Sequence, residues 1–563
     1  MHHNHNGTKF EHFIFDILDK PSKSMLVILL ILASLAGIIM MFPTKMVLAK
    51  MLPGKSTNTF TIYVDTPKGS SIAQTKTVTQ CVSSIMRKEE AVTNMEIFLG
   101  EGSPLDYAGL VKGSGMKNGE EYAEIVVNLT DKHTRDEKSF NMVQRLRPVL
   151  QGECQPLVAG TNIKMIEMPA GPPTLASIVV EVYGQDNQDV IKLSGEVAKI
   201  LQQTDGLVDV DVMADETYKK YILTPMSDKI AKSGLSVKQI NQILYLAFEG
   251  MGVAVKNTIE LNNQISIFVS LSEKDQTLET NKLKVLKNKL SQLSLMNKKG
   301  MMIPLTEVVT ITEGKSSPMI YHKDLKTMVN VVAETDMVSQ VYPLLDAREM
   351  MIEKFSDKYE VTKVPGITTY MFDLNLVDKK TGEKFLLRWD GEMKVTLDTF
   401  RDLGGAFIAA LILIFLLLVI YYKSFALSGI VLSGSFLSII GVIIGHFIAD
   451  MVTTETFFLT ATSLIGFIAL MGISSRNSLL LIDFAQSLIK DKGIEKQRAI
   501  AIASATRAKP IMLTAIAIIL GSALLASDPV FGGLGVALIS GTVAAVIVSL
   551  IFIPILMNKT KAI

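Results

Sequence analysis

The stretch that decides the fold runs from Thr460 to Gln486 and reads TATSLIGFIALMGISSRNSLLLIDFAQ. About 20 apolar residues suffice to cross a bilayer, and this stretch is long enough. Arg476 stands near its middle, where a guanidinium costs at least about 3 kcal/mol unless a buried partner or a wet cavity compensates it. The alternative is that Arg476 marks a helix end and snorkels to the headgroups. Apolar residues continue for about three turns beyond it, so Arg476 is the leading functional candidate.

The composition of the whole chain indicates which class of protein it belongs to. The 563 residues are 48% hydrophobic and 20% charged, with a mean hydropathy of +0.34, which indicates several membrane spans. The net charge of +1 excludes a strongly basic nucleic-acid-binding protein. Two cysteines exclude both a disulfide-rich scaffold and a cysteine-cluster metal site. Cys81 and Cys154 either pair in an oxidising compartment or remain as separate buried thiols.

The pattern predicts an α-helical membrane protein that also contains a large α+β region. Residues 1–24 form a terminus with an amphipathic helix on the membrane surface, because Phe10, Phe13, Ile14, Ile17 and Leu18 recur at helical spacing. Residues 25–43 contain the first span, 44–400 are soluble in character, and 401–563 contain the others. The later apolar blocks are Gly404 to Tyr422, Leu427 to Ile448, Thr456 to Gln486, Pro510 to Ala526 and Leu534 to Leu556. We therefore expect six transmembrane helices.

The region between the first two spans alternates strand-like and helix-like segments. Its first part reads β-α-β-β-α-β up to Met168, which predicts a ferredoxin-like subdomain. The pattern restarts after the breaker PAGPP, and a further lobe follows from about Gln264 to Glu313. The insertion between helices 1 and 2 is thus expected to hold at least two α+β subdomains.

Loop charges predict the orientation in the membrane. The cluster Lys490, Lys492, Lys496, Arg498, Arg507 and Lys509 falls on one side, together with Lys423 and the tail lysines. The loops at 449–455 and 527–533 contain no Lys or Arg. Because positive loops stay in the cytoplasm, both termini are expected to be cytoplasmic and the large insertion to lie outside it.

Several motifs of the sequence resemble those of a known family. The layout, together with GISSRNSLLLIDFAQ (472–486), RAKPIMLTAIAIILG (507–521) and GTVAAVIVSLIFIPILM (541–557), resembles the carboxy-terminal half of a resistance-nodulation-division (RND) efflux permease of the hydrophobe/multidrug type. KMLPGKSTNTFTIYVDTPKGSS, YHKDLKTMVNVVAE and WDGE add to this likeness. The resemblance implies a proton-driven antiporter of the bacterial inner membrane rather than an enzyme, with a periplasmic porter region and no cofactor.

The resemblance also implies roles for individual residues. Arg476 matches the basic position of the family's proton site, and Arg507 and Thr514 match residues that support it. Asp483 lies seven residues from Arg476, about 10.5 Å along a helix, so it is too far for a direct pair. A role of Asp483 in the proton path and a plain interfacial role both remain open. His446, near a helix end, is expected to be hydrated.

The family's proton site also needs a pair of aspartates that no predicted span of this chain contains. We therefore expect Arg476 to face the inside of its bundle without a partner there, and a complementary amino-terminal half to supply the aspartates. Either a separate chain supplies this half, or the sequence is one part of a split or truncated gene. The implied assembly is a trimer of half-pairs with a periplasmic adaptor and an outer-membrane channel. It would export small hydrophobic or amphiphilic compounds.

The sequence leaves two other functions open. Export of copper or silver would use thioethers, with Met165 and Met168 as candidate ligands, although methionine commonly fills cores. A non-transporting assembly or binding subunit would lack a transport cycle of its own. The sequence predicts no resident metal site.

Overall fold

A computed structural model describes residues 8–562 apart from several internal gaps. The gaps are residues 105–106, 115–116, 168–170, 172–173, 216, 260–263, 271–281, 337–338, 365–371 and 454–455. The candidate ligand Met168 therefore lies outside the described residues.

The first α+β unit covers residues 59–167. Its antiparallel sheet has the order β2-β3-β1-β4, and the chain passes through it in the element order that the sequence predicts, with one extra short helix before β3. The elements are β1 (Thr59–Asp65), α3 (Ile72–Met86), β2 (Val92–Glu101), α4 (Tyr107–Lys112), β3 (Asn118–Leu129), α5 (Ser139–Glu153) and β4 (Asn162–Glu167). Cys81 on α3 and Cys154 after α5 form a disulfide, which settles the alternative that the sequence leaves open.

The second α+β unit is built from segments on either side of a third lobe. Six of its strands follow the order β13-β14-β5-β17-β16-β15, and β6 also pairs with β14. The elements are β5 (Ile178–Gly184), α6 (Asn187–Gln202), β6 (Leu207–Met213), β13 (His322–Lys323), β14 (Lys326–Thr335), α11 (Val341–Phe355), β15 (Tyr359–Lys363), β16 (Leu374–Asp378) and β17 (Lys384–Asp390). Helices α6 and α11 cover one face with a shared apolar core.

The third lobe is wider than the sequence indicates. It begins with β7, which pairs with β12, so that the lobe runs from Lys219 to Lys315 rather than from about Gln264. Its elements are β7 (Lys219–Pro225), α7 (Ser227–Ser233), α8 (Val237–Phe248), β8 (Met251–Lys256), β9 (Ile265–Val269), α9 (Lys282–Gln292), β10 (Ser294–Met296), β11 (Met302–Pro304), α10 (Leu305–Val308) and β12 (Val309–Lys315).

Six helices in the described part of the chain are long and apolar enough to cross a membrane. They are α2 (Pro21–Met40), α12 (Glu392–Tyr422), α13 (Phe425–Val452), α14 (Ala461–Lys492), α15 (Lys496–Ala526) and α16 (Gly532–Lys559). The first begins at Pro21 rather than at Met25, since proline suits the first turn of a helix. The second begins at Glu392 rather than at Gly404, because its first turns bury Met393 and Thr396.

The structure contains the amphipathic helix α1 (Lys9–Asp19), and its position at a membrane surface stays a prediction. Ile14, Ile17 and Leu18 are buried in the same apolar cluster as residues of α14, α15 and α16. Ser24 Oγ donates to the Ile17 carbonyl at 2.7 Å and fixes the turn into α2. The apolar face of α1 thus packs on the other helices of the bundle. Phe13 alone among the predicted apolar positions is half exposed.

Small residues set the packing of α13, α14 and α16. A Cβ on Gly441 would lie 2.4 Å from the Ser540 carbonyl, and one on Gly445 would lie 2.1 Å from Ser540 Oγ. Gly466 of α14 likewise approaches α16 too closely for a larger side chain to fit without a shift. Glycines four residues apart allow helix backbones to approach in this way in membrane bundles. The close contact at Gly466 limits the rotation of α14 against α16, and with it the direction in which Arg476 points.

Candidate functional site

Arg476 is the sixteenth of the 32 residues of α14 and is exposed on the surface of the bundle. The expectation that it faces the inside of the bundle is therefore wrong. Each helical residue turns by about 100°, so Arg476 points about 200° away from Ser474, which is fully buried. The small side chains of Ser474, Ser475 and Ser478 occupy the inner side, where the arginine would not fit.

An exposed stripe of α14 extends on both sides of Arg476. Its members are Ile465, Ala469, Gly472, Arg476 and Leu480, spaced three or four residues apart. None of the described residues forms a hydrogen bond or ion pair with the Arg476 guanidinium. A stripe with Ala and Gly beside one polar residue is typical of a face on which another membrane helix packs closely. We call it the Arg476 stripe.

Serines fill the opposite, buried side of α14 at the level of Arg476. Ser475 and Ser435 share a hydrogen bond of 2.7 Å between their hydroxyls, and Ser478 and Ser549 lie 3.5 Å apart. Ser474 Oγ is buried and has no hydrogen-bond partner among the described residues. Small polar contacts of this kind hold helices together in an apolar medium. At the level of Arg476, α14 thus has small polar side chains on its buried face and a charged side chain on its exposed face.

Asp483 is held by two tyrosines at the end of α12. Tyr422 Oη donates to Asp483 Oδ1 at 2.8 Å, and Tyr421 Oη donates to Oδ2 at 3.2 Å. The carboxylate therefore joins α14 to the last turn of α12. The structure does not bring it to Arg476, which matches the axial offset expected from the sequence.

Arg507 and Thr514 lie on the neighbouring helix α15. The Arg507 guanidinium stacks over the ring of Phe484, with 4.9 Å to the ring centre. Phe484 directly follows Asp483 in α14. Arg507 Nε is buried and lacks a hydrogen-bond partner among the described residues. Thr514 Oγ1 donates to the Pro510 carbonyl of its own helix at 2.9 Å. Their support of a proton site stays a prediction.

His446 differs from its expected hydrated state. The ring is fully buried, with Nδ1 2.8 Å from the Val442 carbonyl oxygen and Nε2 2.8 Å from Ser463 Oγ. Ser463 is in turn hydrogen-bonded to Thr460, the N-cap of α14. The T-x-x-S capping pattern at 460–463 is the sequence signal that could have indicated a polar partner for this histidine.

A second polar site, which the sequence does not reveal, lies in a cleft between the two α+β units. It surrounds a cavity of about 130 Å³. Ion pairs cross the cleft from Arg147 on α5 to Asp209 at 3.2 Å and to Asp336 at 3.0 Å, and from Lys112 to Glu334. Because these residues come from segments far apart in the chain, no local pattern could group them.

Two carboxyl groups of this cleft have pKa values that burial raises towards neutral pH. Burial raises the pKa of Glu167 to about 7, although the charges of Arg147 and Lys50 oppose this. Burial also raises the pKa of Asp209 to about 6 in spite of the adjacent Arg147. Glu167 Oε1 is buried and finds no hydrogen-bond partner among the described residues. The cleft can therefore change its charge within the physiological range.

Of the two methionines that are candidate metal ligands, the structure describes Met165. Met165 lies in the core of the first α+β unit and is 2% exposed. No group of three or more metal-binding His, Cys, Asp or Glu side chains occurs in the part of the chain that the structure describes.

Comparison with known proteins adds the family context. A model of the AcrB/AcrD/AcrF family matches residues 3–356 and 374–560. The chain is 24% identical over 544 residues to the swarming motility protein SwrC of Bacillus subtilis (strain 168), covering 94% of this chain and 45% of that protein. It is 20% identical over 560 residues to the multidrug export protein AcrF of Escherichia coli (strain K12), covering 98% of this chain and 49% of AcrF. The chain spans about half the length of the curated relatives it matches.

A crystal structure of a heavy metal efflux pump has the same fold. Its TM-score is 0.71 at 16% sequence identity, and the match covers 97% of this chain and 51% of that one. At this identity the likeness concerns the fold alone.

Proposed function

The chain belongs to the AcrB/AcrD/AcrF family of RND permeases, and from this we infer that it is the carboxy-terminal, half-size subunit of a proton-driven efflux pump. Its substrates in this proposal are small hydrophobic or amphiphilic compounds. The relative AcrF, which is named a multidrug export protein, supports this class of substrate.

The observation that carries the proposal is the exposed guanidinium of Arg476 halfway along a 32-residue apolar helix. In a bilayer this position would be too costly to leave bare. A second bundle that packs on the Arg476 stripe and presents carboxylates would remove the cost. In the cycle, ionised carboxylates of the companion pair with Arg476, and their protonation releases it. Alternate pairing and release would then shift α14 against its neighbours.

We assign the remaining site residues by their contacts. Arg507 of α15 stacks over Phe484 of α14, so it is near enough to α14 to respond to its shift. Thr514 lies two turns further along α15. Asp483 ties α14 to α12 through Tyr421 and Tyr422. It would pass the shift of α14 to α12, and a direct role in the proton path is the alternative.

We further propose that the six apolar helices span the bacterial inner membrane with both termini in the cytoplasm. The α+β units at 59–167 and 178–390 would then be ferredoxin-like porter subdomains in the periplasm, and the third lobe would dock to other components. The Cys81–Cys154 disulfide supports this side, since disulfides persist in oxidising compartments. The complete assembly would be a trimer of half-pairs with a periplasmic adaptor and an outer-membrane channel.

The two other functions have less support. Soft-metal export would need accessible thioethers, whereas Met165 is buried in an apolar core. A non-transporting subunit would have no use for an exposed intramembrane arginine, because such a charge is retained only at a cost.

Substitution of Arg476 tests the proposal. In cells that produce the assembled pump, Arg476→Ala should abolish proton-dependent dye efflux at normal membrane levels of the protein. Arg476→Lys should retain part of it, because the charge survives but the planar fork does not. The matched control is Arg87→Ala, an exposed arginine of the first α+β unit. Efflux that is undiminished in Arg476→Ala would overturn the assignment.

A further inference from the structure

The segment that follows α2 is joined to the start of α14 by backbone hydrogen bonds. Leu459 N donates to the Leu48 carbonyl at 2.8 Å, Lys50 N donates to the Leu459 carbonyl at 3.1 Å, and Ala461 N donates to the Met51 carbonyl at 3.2 Å. A parallel β-bridge between Ala49 and Leu459 completes this contact. Any axial shift of α14 therefore moves residues 48–51 with it.

The side chain of Lys50 reaches from this segment into the cleft between the two α+β units. Lys50 is 8% exposed and lines the same cavity as Glu167. Its ammonium lies 5.5 Å from the centre of the Phe458 ring, in the strand-like lead into α14. Among the described residues no carboxylate lies within ion-pair distance of this ammonium. A buried cation without an ion pair is costly, so another arrangement of the cleft is expected to pair it.

The other charged groups around Glu167 are already occupied or exposed. Arg147 is paired with Asp209 and Asp336, Lys112 is paired with Glu334, and Lys55 is exposed at the mouth of the cleft. Glu392 at the start of α12 also faces the cavity and is the competing partner for Lys50. This leaves an unpaired ammonium and a carboxyl oxygen without a hydrogen-bond partner in one cavity.

We propose that Lys50 is the positioning residue that couples helix α14, which carries Arg476, to the cleft, by pairing with Glu167 in a second conformation of the pump. In that conformation α14 has shifted, the segment 48–51 has followed, and the ammonium contacts the ionised carboxylate. In the conformation described here the two groups are apart. The change between these two conformations links the pairing of Arg476 to the distance between the two α+β units. This inference rests on the proposed function.

The contacts of the same segment on its other side support a mechanical link. Ser339 Oγ donates to the Ala49 carbonyl, and Tyr342 Oη donates to the Phe42 carbonyl at 2.9 Å. Both residues lie at the start of α11 in the second α+β unit. The segment after α2 thus contacts the second unit through its backbone and faces the first unit through Lys50. The pKa of Glu167, about 7, permits the carboxyl to gain or lose its proton as the cleft opens.

Thiol labelling in the cleft tests this coupling. Both native cysteines are in the disulfide, so a cysteine introduced by Thr174→Cys at the cleft is the sole free thiol of this chain. Its rate of reaction with a membrane-impermeant maleimide is measured in native membranes that contain the assembled pump. With Lys50 present, Arg476→Ala should change this rate at least about fivefold, the lower end of typical coupling between sites.

In the Lys50→Met background the same Arg476→Ala change should have no effect on the rate, and Lys50→Arg should restore the effect. Glu167→Gln should behave like Lys50→Met, whereas Glu392→Gln and the surface control Lys88→Met should behave like the parent. A rate that still responds to Arg476→Ala without Lys50 would overturn the inference. Loss of the response in Glu392→Gln but not in Glu167→Gln would overturn the choice of partner.

The failure of the proposed function has a different signature. If Arg476→Ala changes neither efflux nor labelling while Lys50 is present, the proton role of Arg476 is wrong and the coupling falls with it. If Arg476→Ala abolishes efflux yet the labelling is independent of Lys50, only the coupling is wrong.

Discussion

Removal of the Cys81–Cys154 disulfide should destabilise the first α+β unit by several kcal/mol. The bond joins residues 73 positions apart and closes α3 against the end of α5. A loop of this length corresponds to about 4 kcal/mol of lost chain entropy in the unfolded state. For a unit of roughly 100 residues, each kcal/mol shifts the melting temperature by about 4 °C or more, so the first transition should fall by at least about 10 °C.

The assay is thermal unfolding in detergent with and without reductant. Proteolytic cleavage within residues 59–167 is the readout of unfolding. Reductant should lower the first transition of the parent protein and leave that of Cys81→Ala/Cys154→Ala unchanged. The double variant should melt with the reduced parent. If reductant does not alter the parent, or if the double variant melts with the oxidised parent, the bond does not constrain this unit and the argument for an oxidising compartment fails.

Three further predictions concern the cleft, the topology and the helix packing. In the folded state the pKa of Glu167 is raised from 4.5 to about 7, so the protonated carboxyl stabilises the fold below pH 4.5. This stabilisation, about 3 kcal/mol in total, is lost as the pH rises from about 4.5 to 7. The melting temperature of Glu167→Gln should therefore depend less on pH than that of the parent between about pH 5 and 8. A cysteine at Lys298 should react with an impermeant thiol reagent in outer-permeabilised cells and one at Lys492 should not, and the reverse pattern would contradict the orientation. Gly441→Ala would place a methyl group 2.4 Å from a backbone carbonyl of α16 and should lower the melting temperature of the bundle, whereas Gly429→Ala in the same helix meets nothing within 4 Å and should not.

The sequence could predict the position of Arg476 along its helix but not the direction in which it points. Depth follows from counting apolar residues on either side. Direction depends on how α14 is rotated against α16, and this rotation is set by close contacts at glycines such as Gly466. The pattern around Arg476 is apolar or small on every side, so periodicity alone does not distinguish an inner from an outer face.

His446 and the cleft show a second limit of local patterns. The partner of the histidine, Ser463, lies in another helix, and the cleft gathers Lys50, Arg147 and Glu167 from three distant segments. By contrast, the β-α-β-β-α-β element order of the first unit follows from alternation and helical spacing, which are local. The pairing of the cysteines also needed the fold, because it depends on α3 and α5 lying side by side.

In the proposed assembly a companion chain covers the Arg476 stripe with carboxylates. The most direct measurement places a photo-crosslinking amino acid at Leu480, one turn from Arg476 on the stripe, in native membranes, and identifies the adduct by mass spectrometry. We expect an adduct with a second chain of several apolar helices, at a span that carries paired aspartates. Adducts with lipid alone, or with another copy of this chain, would contradict it.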